Sequence, residues 1–385
     1  MDYIRILRDI ISIDTSEPSG VNCGRAIDYL RPLFAQVGFT TEVVHIPKEY
    51  AEGKQGRVAL LCHRRQQNKP RLIFYSHIDV VPAEGWNAFT PWVEDRRIFG
   101  RGASDMKGAI VALLSGLEAL QGKPLQYDIS VMVTTDEEIG QAAQLRYLRQ
   151  FLEPVSGASL FSLDSGFGYV TIANLGVLQT DIVVRGKSVH SGLAHLGKNA
   201  VEQANILVQR LLELKRNVLQ RKSCIMVHPD TGLTTMEARL NINKMVGGLQ
   251  INVVPGECVI SLDRRLIPEE NIENAEKELM DTLSSVEGVD WEIERIFRVP
   301  TVPPCQGPVV DKLSGIIEGV TGHSGKFGEM VSGDMPYIAT AEWGAREFGL
   351  GTIRAECNIH GKYEFVYRDD IENLARIITM FLLSQ

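Results

Sequence analysis

Leu72-Ile73-Phe74-Tyr75-Ser76-His77-Ile78-Asp79-Val80-Val81-Pro82 is the stretch from which the rest of the chain is read. An apolar run over 72–76 ends in a histidine and an aspartate two residues apart, so both polar groups fall where a buried strand runs out. Two other apolar runs of strand length end the same way: 129–134 leads into Asp136-Glu137-Glu138, and 160–163 into Asp164. The ends of strands in α/β sheets are where ligands bind, because the loops there leave room that packed strand centres do not.

Working outward, the intervals between these strands carry helical spacing. Ser19 is placed to cap a helix through Arg25, Leu30 and Leu33 that Gly38 stops, and helices are expected over 106–120 and 141–152. Strands are expected at 41–46 and 57–62. Strands separated by helices argue for an α/β sheet covered on both faces. From 178 the texture changes to longer alternating strands, 178–184, 234–242, 258–263 and 291–297, with helices at 200–214 and 269–284. That pattern suits an α+β unit with helices on one face of an antiparallel sheet. A Pro-rich stretch at 299–304 reads as a linker, and a last helix follows over 370–383. The expected organisation is therefore one α/β domain made from 1–177 and 297–385, with a smaller domain inserted at 178–296.

With 385 residues, 44% of them hydrophobic, the chain can bury a large core, which excludes a disordered or fibrous protein. The net charge of -8 comes without acidic or basic blocks and makes no electrostatic case for nucleic acid or an anionic membrane. No apolar run approaches the ~20 residues of a membrane span. Six cysteines without a C-x-x-C pair form no disulfide framework and fit a reducing compartment, so a cytoplasmic protein is expected. A small molecule is the partner these features leave.

The chemistry-bearing residues gain meaning together. In His77-Ile78-Asp79 the imidazole can hold a metal while Asp79 fixes its other side. Gly100-Arg101-Gly102-Ala103-Ser104-Asp105-Met106-Lys107-Gly108 delivers Asp105 to a helix start, where it is equally readable as a helix cap. Adjacent Glu137 and Glu138 repel unless a cation or a proton intervenes, although a solvated acidic loop would look the same. Asn358-Ile359-His360-Gly361-Lys362-Tyr363-Glu364-Phe365 adds a second histidine. Two histidines and several carboxylates at strand ends, with no cysteine, suit zinc, manganese or cobalt in a hydrolytic site.

His77-x-Asp79, the run 100–108 and Asp136-Glu137-Glu138-Ile139-Gly140, in this order, resemble the M20 metallopeptidase family, which includes acetylornithine deacetylase and succinyl-diaminopimelate desuccinylase. The resemblance spans nearly the whole chain. It implies a helix-covered, mixed-sheet zinc-peptidase domain carrying an α+β lid or dimerisation domain. It also implies two divalent ions, zinc with cobalt or manganese as alternatives, held by His77 and Asp164 on one side and by Glu138 and His360 on the other, with Asp105 bridging. Asp79 would orient His77, and Glu137 would be the general base of a direct amide hydrolysis.

In the inserted domain, Gly186-Lys187-Ser188-Val189-His190-Ser191-Gly192 resembles the segment whose histidine helps bind the oxyanion, in several members across a homodimer. Asn252-Val253-Val254-Pro255 and Asp263-Arg264-Arg265 resemble the family's substrate-facing elements, which implies substrate contacts for Asn252 and for Arg265, preferred to Arg264 because strand alternation sets the two on opposite faces. The chain departs from the family at Ser332-Gly333-Asp334-Met335-Pro336, which lacks an arginine many relatives carry, and at Ala355-Glu356-Cys357-Asn358. The expected substrate is an N-acyl amino acid, with a dipeptide or carboxypeptidase substrate as the alternative. An inactive binding homologue is opposed by the presence of every matched ligand and of Glu137.

Overall fold

The computed structural model describes residues 1–384. It divides into two units: residues 1–172, 305–327 and 333–385, and residues 173–304 with 328–332. The divisions at 172/173 and 304/305 lie five and eight residues from the expected 177/178 and 296/297, and the return of 328–332 to the second unit was not expected.

The first unit is built on an eight-stranded mixed sheet in the order Thr40–His45, Val58–Arg64, Asp128–Thr134, Arg71–His77, Ser159–Ser162, Arg346–Gly349, Val170–Ala173 and Lys326–Gly328. Its four central strands, from Asp128–Thr134 to Arg346–Gly349, run parallel. Period-two alternation shows in Arg71–His77: Leu72 and Phe74 join one buried cluster, and Ile73 and Tyr75 the other. The first cluster takes the apolar faces of Tyr3–Ile11, Cys23–Gln36, Gly108–Glu118 and Arg368–Leu383, and the second that of Ala142–Leu152. Gly108–Glu118 is buried almost all round, and a Cβ on Gly116 would stand 2.9 Å from the Ala375 carbonyl, so glycine permits that close helix packing.

The second unit holds a four-stranded antiparallel sheet, Arg239–Gly247, Glu257–Leu266, Gly176–Arg185 and Asp290–Val299 in that order, together with the helices Ala200–Val218 and Ile272–Ser284.

Several local expectations change. Ser19 caps nothing: its hydroxyl donates to the Ser16 carbonyl, and the helix starts at Cys23 after Asn22. The strand expected at 234–242 is two strands, Thr235–Glu237 and Arg239–Gly247, in different sheets, with Ala238 N–H diverted to the Arg221 carbonyl between them. The helix expected from 269 begins at Ile272, because the Glu270 carboxylate accepts from Ile267 N–H and Asn271 caps the first turn. The small sheet of Phe365–Tyr367, Arg97–Phe99 and Trp92–Glu94 had no periodic signal, its strands being three residues each.

Candidate metal centre

Parallel pairing aligns the strand ends. His77 lies opposite Thr134, and Tyr75 opposite Ser162, so the segments after the three strands leave the sheet along one edge. His77 closes its own strand, Asp136 to Glu138 follow Thr134 in a tight turn, and Asp164 lies two residues beyond Ser162.

Two groups of possible ligands result: His77 with Asp105 and Asp164, and Asp105 with Glu138 and His360, the atoms within each group lying within 4.8 Å of one another. Asp105 belongs to both. His77 is fully buried, and its Nε2 makes no hydrogen bond while facing Asp105 Oδ1 at 3.4 Å and Asp164 Oδ2 at 3.8 Å. His360 Nε2 stands 3.2 Å from both Asp105 Oδ2 and Glu138 Oε2. A buried, unpartnered imidazole nitrogen held this far from two carboxylates is what a cation between them would satisfy. Three carboxylates and two imidazoles also suit a pair of divalent ions in charge and in ligand type.

Asp79 serves both sides of this arrangement. Its Oδ1 lies 3.4 Å from His77 Nδ1, and its Oδ2 accepts from Glu138 N–H at 3.1 Å. Asp105 is not a helix cap: Asp105 and Met106 have non-helical backbone, and Lys107 precedes a helix that starts at Gly108.

Electrostatics follow from crowding negative charge out of water. Burial works against an imidazolium at His77, yet Asp105 and Asp79 overcome it and hold its pKa well above the ordinary value. Asp105 and Glu138 push His360 up to about 10. Burial would raise Asp105, but the two histidines win and lower it. Glu137 is half-buried, and desolvation, with the charge of Asp164 second, holds its carboxyl well above the carboxylate range. Gly333 lies beside it, and a Cβ there would make van der Waals contact with Glu137 Oε1 at 3.4 Å.

Two pairs that sequence reading assigned no role hold the ligand loops. Glu364, buried, accepts from the N–H groups of Gly102, Ser104 and Asp105 at 3.0–3.1 Å and from Arg101 Nη1 at 2.7 Å. Arg101 Nη2 donates to the carbonyls of His360 and Gly361 at 3.2 and 3.0 Å. Asp105 and His360 are thus tied together through one ion pair. A buried arginine in a Gly-rich loop needs a partner, and that was the available signal. The other pair, Arg57 and Glu17, is 40 residues apart and left no local signal.

His190, Asn252 and Arg265 lie in the second unit. His190 is exposed, its Nδ1 accepting from Gly192 N–H at 3.1 Å, and the next residue, Ser191, donates its N–H to the Asn252 carbonyl at 2.9 Å. Arg265, half-buried, pairs with Asp263 at 2.7 Å. Arg264 is engaged elsewhere, its Nη1 and Nη2 paired with Glu278 and Glu270.

Comparison with known proteins places these features in context. The family model described as peptidase family M20/M25/M40 matches residues 73–384. A probable succinyl-diaminopimelate desuccinylase of Staphylococcus epidermidis is 28% identical over 83% of this chain and 80% of its own length. The succinyl-diaminopimelate desuccinylase of Marinobacter nauticus is 24% identical over 99% of this chain and 98% of its own. Among solved structures, the M20 family metallo-carboxypeptidase Sso-CP2 from Sulfolobus solfataricus superposes with a TM-score of 0.81 at 18% identity, covering 99% of this chain and 98% of that one.

Proposed function

The chain belongs to peptidase family M20/M25/M40 and is a metal-dependent amidohydrolase, and from that premise we propose that it hydrolyses the amide bond of an N-acyl amino acid. The observation that carries the reading is Asp105 shared between two His/carboxylate groups, with Glu137 in the turn that also supplies Glu138.

In this reading His77 and Asp164 hold one ion, Glu138 and His360 the other, and Asp105 both. The ions, zinc with cobalt or manganese as alternatives, would acidify the attacking water and polarise the acyl carbonyl. Glu137 takes a proton from that water and returns it to the leaving amine nitrogen. Its desolvated carboxyl favours carrying the proton between the two steps. Asp79 keeps the His77 ring and the Glu138 main chain in place. His190 is assigned to the acyl oxyanion and Asn252 to substrate. Arg265 is assigned to a substrate carboxylate, which its fork matches and which would replace Asp263 as its partner. A homodimer through the second unit is part of the proposal and is supported by the full exposure of Leu249 and Ile251. Six unpaired cysteines support a cytoplasmic setting, and no helix among the described residues is long and apolar enough to cross a membrane.

Similarity to succinyl-diaminopimelate desuccinylases supports an acyl substrate rather than a dipeptide for this chain. The test is amine release from N-acetyl, N-succinyl and N-formyl amino acids and from dipeptides, by metal-free protein before and after zinc, cobalt or manganese is restored. Metal-dependent cleavage confined to the acyl set supports the proposal. Preference for dipeptides replaces it with a peptidase, and silence throughout replaces it with a binding role.

A further inference from the structure

Arg57 stands just before the strand Val58–Arg64, and its guanidinium is shut away from solvent between two buried carboxylates. Nη2 lies 2.6 Å from Glu17 Oε2, and Nε lies 2.6 Å from Asp136 Oδ1, the latter a charge contact without hydrogen-bond alignment. The Ser19 and Pro18 carbonyls accept from Nη1 at 3.1 Å and from Nη2 at 3.0 Å. Gly20 makes the space: a Cβ there would stand 1.7 Å from Arg57 Nη1.

Asp136 is the residue that needs holding. Its φ of 74° is left-handed, a conformation that costs an L-residue energy, and Glu137 and Glu138 follow it directly. The same turn is anchored at Thr135, whose hydroxyl donates to the Val58 carbonyl at 3.2 Å, and at Glu138, whose N–H donates to Asp79 at 3.1 Å. Lys54 Nζ, 3.4 Å from Asp136 Oδ2, is a partly exposed second partner. Glu137 sits between these anchors, so its position depends on Asp136 keeping its backbone angles.

We propose that Arg57, braced by Glu17 and housed by Gly20, is a positioning residue for the hydrolysis: it clamps Asp136 in its left-handed turn and so fixes the carboxylate of Glu137. The inference rests on Glu137 being the base. A simple buried ion pair would serve stability alone, and such pairs are often replaceable by apolar groups without loss. Here the guanidinium joins the N-terminal 17–20 turn to the residue preceding the base.

The test uses the full-length, zinc-loaded enzyme and its Arg57→Lys and Gly20→Ala variants. It compares kcat, KM, zinc content, zinc affinity by chelator competition and thermal midpoint. Both variants should lose about 10- to 100-fold in kcat, the cost of a small misplacement of a reacting group. Their KM should stay within about threefold of the parent, as for an interaction felt in the transition state. Zinc content and affinity should match the parent. In Arg57→Ala, millimolar guanidinium should restore part of the lost kcat and leave the parent unchanged. Parental kcat in both variants, kcat falling only in proportion to bound zinc or folded fraction, or no response to guanidinium would overturn the inference. If the parent hydrolyses nothing in the panel, the assignment of the base falls and this inference falls with it. An active parent with unaffected variants overturns this inference alone.

Discussion

Each unit buries a cluster of charged side chains, and the two are balanced differently. In the second unit, Arg264 and Arg221 each bridge Glu270 and Glu278 at 2.5–3.0 Å, so two positive charges meet two negative ones. In the first unit, Asp79, Asp105, Glu137, Glu138 and Asp164 gather around His77 and His360, five carboxylates to two imidazoles. The cluster with matched charges pairs each carboxylate with two guanidinium groups beside a helix start. An unbalanced one raises the pKa values of its histidines, adds to the desolvation that raises Glu137, leaves a buried imidazole nitrogen unpartnered, and calls for cations from outside.

The largest effect expected from this contrast is on turnover. Glu137→Ala should lower kcat by about 10²- to 10⁴-fold, the range for loss of a general base, while metal content measured by mass spectrometry stays near that of the parent. Metal lost in step with activity would make Glu137 part of the ligand set instead. Next, Arg264→Leu should cost about 3 kcal/mol in denaturant unfolding, the low end of the range for breaking a buried ion pair, because it leaves Glu270 and Glu278 to share Arg221 alone. Metal content per folded molecule should not change, and a variant of parental stability would erase the distinction between the clusters. Smaller again, stripping the metal should destabilise by about 2.7 kcal/mol relative to protein at a free-ion concentration a hundredfold above Kd. A thermal midpoint indifferent to chelator would mean that the unbalanced cluster tolerates its own charge.

The effect that is smallest per unit of change concerns protons. With its pKa pushed up to about 10, His360 of the metal-free protein holds a proton at neutral pH, and a metal ligand must give it up. Affinity for zinc should therefore rise with pH up to about 10, by about tenfold per unit for each proton displaced. Calorimetry in buffers of different ionisation enthalpy should show proton release on binding, and its absence would take His360 out of the ligand set.

Much of the first unit was readable from sequence. Apolar runs of strand length over 72–76, 129–134 and 160–163 announced an α/β sheet and the edge on which ligand residues gather. The second unit was less legible: one expected strand is two in separate sheets, and the Arg264 cluster depends on a helix that starts three residues later than its apolar pattern suggests. Sequence alternation separated Arg264 from Arg265, and in the structure Arg264 pairs with Glu270 and Glu278 while Arg265 pairs with Asp263.

The amino-acid order alone determined what is local: strand periodicity, the Gly-rich loop before Asp105 and the carboxylates placed where strands run out, because these follow from backbone geometry over a few residues. The tertiary structure decided that Asp105 is shared by two ligand groups rather than capping a helix, that Glu364 clamps its backbone from more than 250 residues away, and that Arg57 grips the residue before Glu137. Those pairings depend on sheet register and on burial, which make an unpartnered charge too costly to leave alone, and neither is written in any short stretch of the chain.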